Sequence, residues 1–342
     1  MTIDNLQPKS ATNLQVAQFA EVVNIIQTRR NELLQAANKA LLDTYWQVGK
    51  YISEKIEQST WGDSIVSQLA AYIAKTAPEL KGFSDKNLWR MKRFYETYVG
   101  DEKLSPLVRE IGWTQNILIM SRCDNATERE FYIRLAKRDR LTKRELDRQI
   151  SASVYERTML GQSKLPPLVR ELGDKAQNAF RDQYVMEYIT GKEAKPENSL
   201  RNALIKHMKA FILELGKDFI YMGEEYRVQV GMSDFRIDLL FFHRELQCLV
   251  AFELKTEAFK PEHLGQLNFY LEALDRDVKK PQENPSIGVL LCQDKDDEVV
   301  EYALSRSLSP TLVAKYQLCL PDKKLLQTKM REIFNETEGG CR

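Results

Sequence analysis

The 342-residue chain has little of what most metal and redox sites are built from: three histidines, five cysteines and no Cys-x-x-Cys pair. His207, His243 and His263 never fall four apart, so a zincin-type H-E-x-x-H is excluded. Cys123, Cys248, Cys292, Cys319 and Cys341 are scattered, which predicts free thiols rather than a zinc site or a disulfide framework. Any metal must then be held by oxygen ligands. No stretch approaches the ~18 apolar residues of a membrane span. The opening MTIDNLQPKSATNLQ lacks a basic segment followed by an apolar core, so no secretory signal is expected and the cytoplasm is the expected compartment. Repeats and low-complexity tracts are absent, and the charges nearly cancel, 50 basic against 49 acidic.

What is present suits two soluble domains. The length exceeds one comfortable core, and 43% hydrophobic with 29% charged residues is ordinary for a globular protein. Residues 15–57 carry apolar positions three and four apart, predicting one bent helix or two. Helical patterns recur at 64–75, at 84–98 where Ser84 is placed to cap, at 113–120, and on both sides of a turn near 139–142. One helix face at 84–98 is apolar, which leaves Lys86, Arg90, Lys92 and Arg93 as a basic exposed face. Residues 131–148 add Arg134, Lys137, Arg138, Arg140, Lys143, Arg144 and Arg148. Such faces suit phosphate backbones. After the Pro166-Pro167 pair the pattern changes from helices to alternation. The expected division is therefore an all-α, helix-turn-helix-like domain over 1–178 and an α/β domain over 179–342, the latter in the order α-β-β-β-α-β-α-β.

Strand parity locates the chemistry, because neighbouring side chains on a strand point to opposite faces. In DFRIDLLFF, Phe235, Ile237, Leu239 and Phe241 share one face; Asp234, Arg236 and Asp238 share the other. In CLVAFELK, Glu253 and Lys255 share a face with Ala251. If residues 244–247 form the connecting loop, antiparallel pairing sets Asp238 opposite Glu253, and the two acids and the amine converge. Carboxylates beside such apolar strands are costly to desolvate unless paired or metal-bound. Asp238, Glu253 and the Leu254 carbonyl form a hard oxygen pocket suited to Mg²⁺ or Mn²⁺, and Lys255 is placed to orient or deprotonate an attacking water. An ordinary salt bridge on an exposed face is the rival interpretation. Gln266 and Tyr270 are four apart on a helix and can face the same end of the sheet. Glu214 is a candidate third carboxylate, and Arg236 and Lys260 are candidate phosphate contacts.

The segment FRIDLLFFHRELQCLVAFELKTEAFKPEHLGQLNFYLEALD resembles the catalytic block of the YhcG-like bacterial PD-(D/E)XK nucleases. YWQVGKYISEKI, GFSDKNLWRMKRFYETY, LSPLVREIGWTQNILIM and REFYIRLAKRD resemble that family's helical, DNA-binding half. The resemblance implies a restriction-endonuclease-like domain in which Asp238 and Glu253 are the acidic ligands, Lys255 the catalytic lysine, Gln266 and Tyr270 the Q-x-x-x-Y element, and Glu214 the helix-borne acid. Ile237 stands where the motif's proline would be, a change that removes no ligand. The implied activity is metal-dependent cleavage of nucleic-acid phosphodiesters without a defined substrate; the expected partner is DNA, the expected setting repair, recombination or mobile-element processing, and a homodimer is a candidate form because dimers commonly cut both strands. A DNA-binding or complex-forming protein using an inactive nuclease fold as a platform is the alternative.

Overall fold

A computed structural model describes residues 13–58, 63–161, 179–305, 307 and 309–339. Two compact units divide the chain, Met1–Lys143 and Arg144–Arg342. Among the described residues no helix is long and apolar enough to cross a membrane.

The first unit is helical. Its helices are α1 (Asn13–Glu57), α2 (Asp63–Thr76), α3 (Asp85–Tyr98), the short α4 (Leu104–Leu107) with a 3₁₀ turn behind it, α5 (Trp113–Arg122) and α6 (Ala126–Arg138). α1 is one continuous helix, consistent with a run that has no proline and a single glycine, Gly49. Leu42, Tyr45 and Ile52 of α1 pack on Leu88 and Met91 of α3. A Cβ at Gly49 would lie 2.1 Å from the Met91 carbonyl oxygen, so the missing side chain lets the two backbones touch. Ser84 stands at the start of α3 as expected, but its side chain makes no capping bond. Its carbonyl accepts from the amides of Asn87 and Leu88 instead.

The second unit opens with α7 (Lys143–Ser151) and α8 (Val154–Gly161). Its sheet is built from β1 (Gln183–Val185), β2 (Phe219–Val230), β3 (Ser233–His243), β4 (Cys248–Leu254), β5 (Asn284–Cys292) and β6 (Thr311–Gln317), in the order β1-β6-β5-β4-β3-β2. β2, β3 and β4 are antiparallel neighbours; β4, β5, β6 and β1 are parallel. The helices are α9 (Glu197–Lys206), α10 (Met208–Leu215), α11 (His263–Ala273), α12 (Asp297–Leu304) and α13 (Lys323–Gly339). Leu200, Leu204, Phe211 and Leu215 of α9 and α10 cover one sheet face over Phe241, Val250 and Phe252. Leu264, Leu267 and Leu271 of α11 cover the other over Leu240, Ala251 and Leu290. The single helix expected ahead of the first strands is thus two helices, meeting at His207.

The expected boundary at 178 lies outside the described residues. The contact division falls earlier, because α7 and α8 belong to the second unit: Arg148 and Arg157 both reach Glu214 of α10, each at 2.8 Å. Strict alternation on β3 also fails. Leu239 and Phe241 pack with α9 and α10, whereas Ile237 and Phe235 join the α11 layer. Beyond Leu239 the strand has lost β4 and continues with β2 alone. A two-stranded ribbon twists more strongly than a wide sheet, and this one wraps over α11, bringing the Phe235 ring to 4.6 Å from that of Phe269.

Candidate active site

The β3–β4 ladder pairs His243 with Cys248 and ends at Leu239 with Phe252, one residue short of Asp238 and Glu253. The loop is the expected 244–247. Every residue of β4 is buried, Glu253 included, at 3% exposure. Asp238 Oδ2 accepts from the Leu254 amide at 2.9 Å, which fixes the carboxylate against β4. Just past the strand, the Lys255 amide donates to the Leu291 carbonyl, and its Nζ donates to Glu253 Oε1 at 3.0 Å. The three groups named from parity therefore meet at one end of the sheet.

Burial, with the Asp238 charge beside it, pushes the Glu253 carboxyl up to about 7. Burial works against the Lys255 ammonium, but the neighbouring carboxylates, Glu253 first, outweigh it and hold its pKa above the usual lysine value. Glu253 Oε2 is buried and has no hydrogen-bond partner among the described residues. Such an acceptor is expensive to leave unmet, and a cation answers the cost.

Two residues that the sequence reading missed complete the cluster. Glu197, in the first turn of α9, lies 3.4 Å from Lys255 Nζ, and Arg201, one turn on, contacts Asp238 Oδ1 and Glu225, each at 3.0 Å. Their i, i+4 spacing on an amphipathic helix was visible in the sequence. Nothing local told which end of the helical segment meets the strands.

Glu214, expected to supply the helix-borne acid, is elsewhere. It is fully buried, with Arg148 and Arg157 at 2.8 Å, Arg181 at 3.3 Å and the Val185 amide at 2.9 Å. Burial alone would raise its carboxyl, but Arg157, Arg181 and Arg148 overcome that and hold it near 2. The charges felt by Glu253 come from Asp238, Lys255 and Glu197. Glu197, not Glu214, is the helix-borne carboxylate that lies beside Glu253 and Lys255.

Gln266 Nε2 donates to the Tyr270 hydroxyl at 2.7 Å, so the two share a face as expected. Tyr270 is buried, which raises its phenol; among the charges acting on it are Glu253, Asp238 and Lys255. Arg236 is largely exposed on the ribbon, 3.6 Å from Glu225. Lys260 bonds Glu257 at 2.7 Å. In the helical unit Lys86 and Arg93 are exposed and Arg90 is half-buried, all on α3. Much of the basic stretch at 131–148 is already ion-paired: Arg134 with Glu130, Lys137 with Glu110, Arg138 with Asp139.

Among the described residues no three His, Cys, Asp or Glu side chains are gathered as a finished metal cage. The carboxylates of Asp238, Glu253 and Glu197 are held by Arg201 and Lys255 instead. The donors nonetheless fit a hard divalent ion: acidic oxygens, one of them buried without a partner, beside a strand-end backbone.

Residues 177–331 match the YhcG PDDEXK nuclease domain, and residues 21–157 match the DUF1016 N-terminal domain. The chain is 30% identical to a protein of Escherichia coli (strain K12) named "Putative nuclease YhcG", over 94% of this chain and 95% of that one. Among solved structures, a repair endonuclease from Pyrococcus abyssi is 13% identical with a TM-score of 0.25, and covers 37% of this chain and 48% of its own. The EndoMS-dsDNA2 complex is 16% identical with a TM-score of 0.24, covering 34% and 45%. The match spans under half of each, and superpositions at this level carry no argument. Family models over both halves and a relative matched nearly end to end show that the chain belongs to the YhcG family of PD-(D/E)XK nucleases.

Proposed function

We propose that the protein is a Mg²⁺- or Mn²⁺-dependent DNA endonuclease of the cytoplasm, working in repair, recombination or mobile-element processing. The observation that carries this reading is the unpartnered, buried Glu253 Oε2 beside Asp238 and Lys255. Asp238, Glu253 and the Leu254 carbonyl would hold the ion, with Glu197 alongside. When bound, it supplies Lewis acidity to the phosphodiester and acidifies a water.

The remaining roles follow from the chain's own groups. Lys255, with its Nζ 3.0 Å from Glu253 Oε1, is placed to orient the attacking water and to offset developing negative charge. Arg201 holds Asp238 in place through the 3.0 Å contact. Tyr270, tied to Gln266, closes the α11 side of the site. Arg236 and Lys260 flank it as phosphate contacts, and Lys86, Arg90 and Arg93 of α3 dock the helical half on the DNA backbone. Cutting both strands takes two such centres, which favours a homodimer.

Incubation with plasmid, forked and four-way DNA, with and without Mg²⁺ or Mn²⁺, tests the reading. Lys255→Ala and Glu253→Ala are expected to lose at least ~10²-fold in cleavage rate while still binding DNA, the scale of a lost electrostatic catalyst. DNA binding without cleavage by the wild type under every one of these conditions would leave the fold a platform, and wild-type rates in Glu253→Ala would take Glu253 out of the active centre.

A further inference from the structure

We propose that the amino-terminal half of α1 is the surface on which two copies of this chain associate, as an antiparallel helix pair with its two-fold axis at Arg30. This deepens the homodimer reading by naming its surface, and is independent of the cleavage chemistry.

Residues 18–37 of α1 are exposed without exception. At 1.5 Å per residue that is about 30 Å of helix left uncovered among the described residues. A helix with nothing packed on it should be polar all round. This one displays Phe19, Val22, Val23, Ile26, Leu33, Leu34 and Leu41, each between 42% and 70% exposed. Such side chains leave on the order of 700 Å² of apolar surface open, more than monomers usually tolerate and close to the ~800 Å² per partner of a specific interface.

The pattern selects a second copy as the occupant. At about 100° per residue, Phe19, Val23, Ile26, Arg30, Leu34, Ala37 and Leu41 lie within about 40° of one line. Their spacing reads the same in both directions from Arg30: Ile26 and Leu34 are each four residues away, Val23 and Ala37 seven, Phe19 and Leu41 eleven. An isologous contact requires that symmetry, since each residue meets its mirror position on the other copy. An unrelated partner does not. Eleven residues make three turns almost without drift, so the line stays straight over its whole length. Charge is segregated accordingly: Glu21, Arg29, Glu32 and Lys39 all lie more than about 90° away. Arg29 is already bound to Glu32 at 2.8 Å. Arg30 is the one charge on the line, and at the axis its stem can lie on the apolar layer while the guanidinium reaches water.

Sedimentation of the full chain at micromolar concentration tests the proposal. The wild type should run as a dimer, and Ile26→Lys combined with Leu34→Lys as a monomer with an unchanged circular dichroism spectrum, both positions being exposed. Arg30→Leu should dissociate at the same or a lower concentration than wild type. With Cys319 and Cys341 replaced by Ser, mild oxidation should cross-link Arg30→Cys to itself. Phe19→Cys alone should not link, but should link when mixed with Leu41→Cys. A monomeric wild type, a double-lysine variant that stays dimeric, or self-linking Phe19→Cys would each overturn the proposal. A dimer that survives the two lysines sinks this surface alone; none of these outcomes touches the nuclease reading.

Discussion

Glu253 carries an unusual proton for a carboxyl so close to Lys255. Burial and Asp238 raise it from 4.5 to about 7. A raised pKa means the folded state binds the proton more tightly than the unfolded one, so the associated stability is complete below about pH 4.5 and disappears as pH rises through 7. Glu253→Gln removes the cost of that buried charge. Thermal melts without divalent ions should show the variant gaining on wild type at pH 8, by up to about 3 kcal/mol, but not at pH 4.5. An equal offset at both pH values would mean that the carboxyl is not perturbed. The same proton competes with a metal ion. Calorimetric Mn²⁺ affinity of the wild type should therefore fall roughly tenfold per pH unit below 7 and level off above it. A flat profile between pH 5.5 and 8 would remove Glu253 from the ligand set.

Glu214 shows how a helix element can be misjudged from sequence. It sits in FILELG, the most apolar stretch of its segment, where an acid must be neutralised by something buried. The sequence reading offered a metal; the fold supplies Arg148, Arg157 and Arg181, two of them from α7 and α8. These partners are 33 to 66 residues away in the chain, so no local pattern could name them. By contrast the meeting of Asp238, Glu253 and Lys255 was legible, because a four-residue loop sets β3 against β4 and brings the three to one end of the sheet, even though alternation fails at Ile237. The order of elements was legible too, with a helical segment, three strands, then helix, strand, helix and strand. β1 was not: it is three residues long and is specified only by pairing with β6, more than 130 residues later. The Glu214 assignment is testable as an element-level staple. Glu214→Gln leaves three arginines around a neutral amide and should cost at least ~3 kcal/mol in urea unfolding. Since its carboxyl is held near 2, the contribution is present above about pH 4.5 and fades as pH falls toward 2. Metal affinity of the folded variant should be unchanged. A variant as stable as wild type but unable to bind Mn²⁺ would return Glu214 to the metal.

For the whole molecule, a net charge of +1 offers DNA no general attraction, so binding must come from particular faces. Ion pairing separates the candidates. Arg134 bonds Glu130 at 2.7 Å, and Arg138 bonds Asp139 at 2.7 Å, so each would have to give up a carboxylate to take a phosphate. Among the described residues, Lys86 and Arg93 of α3 have no carboxylate in salt-bridge range, and Arg93 donates to the Met120 carbonyl at 3.2 Å. Each phosphate contact contributes about 0.9 to the slope of log affinity against log salt on duplex DNA. Lys86→Ala with Arg93→Ala should therefore flatten that slope by nearly 2 and weaken binding at low salt, while DNA held at saturation is cut at the wild-type rate. Arg134→Ala with Arg138→Ala should move the slope far less, because those guanidinium groups are already neutralised. If the two pairs shift the slope alike, α3 has no special place in docking, and the helical half binds through diffuse charge or serves association alone.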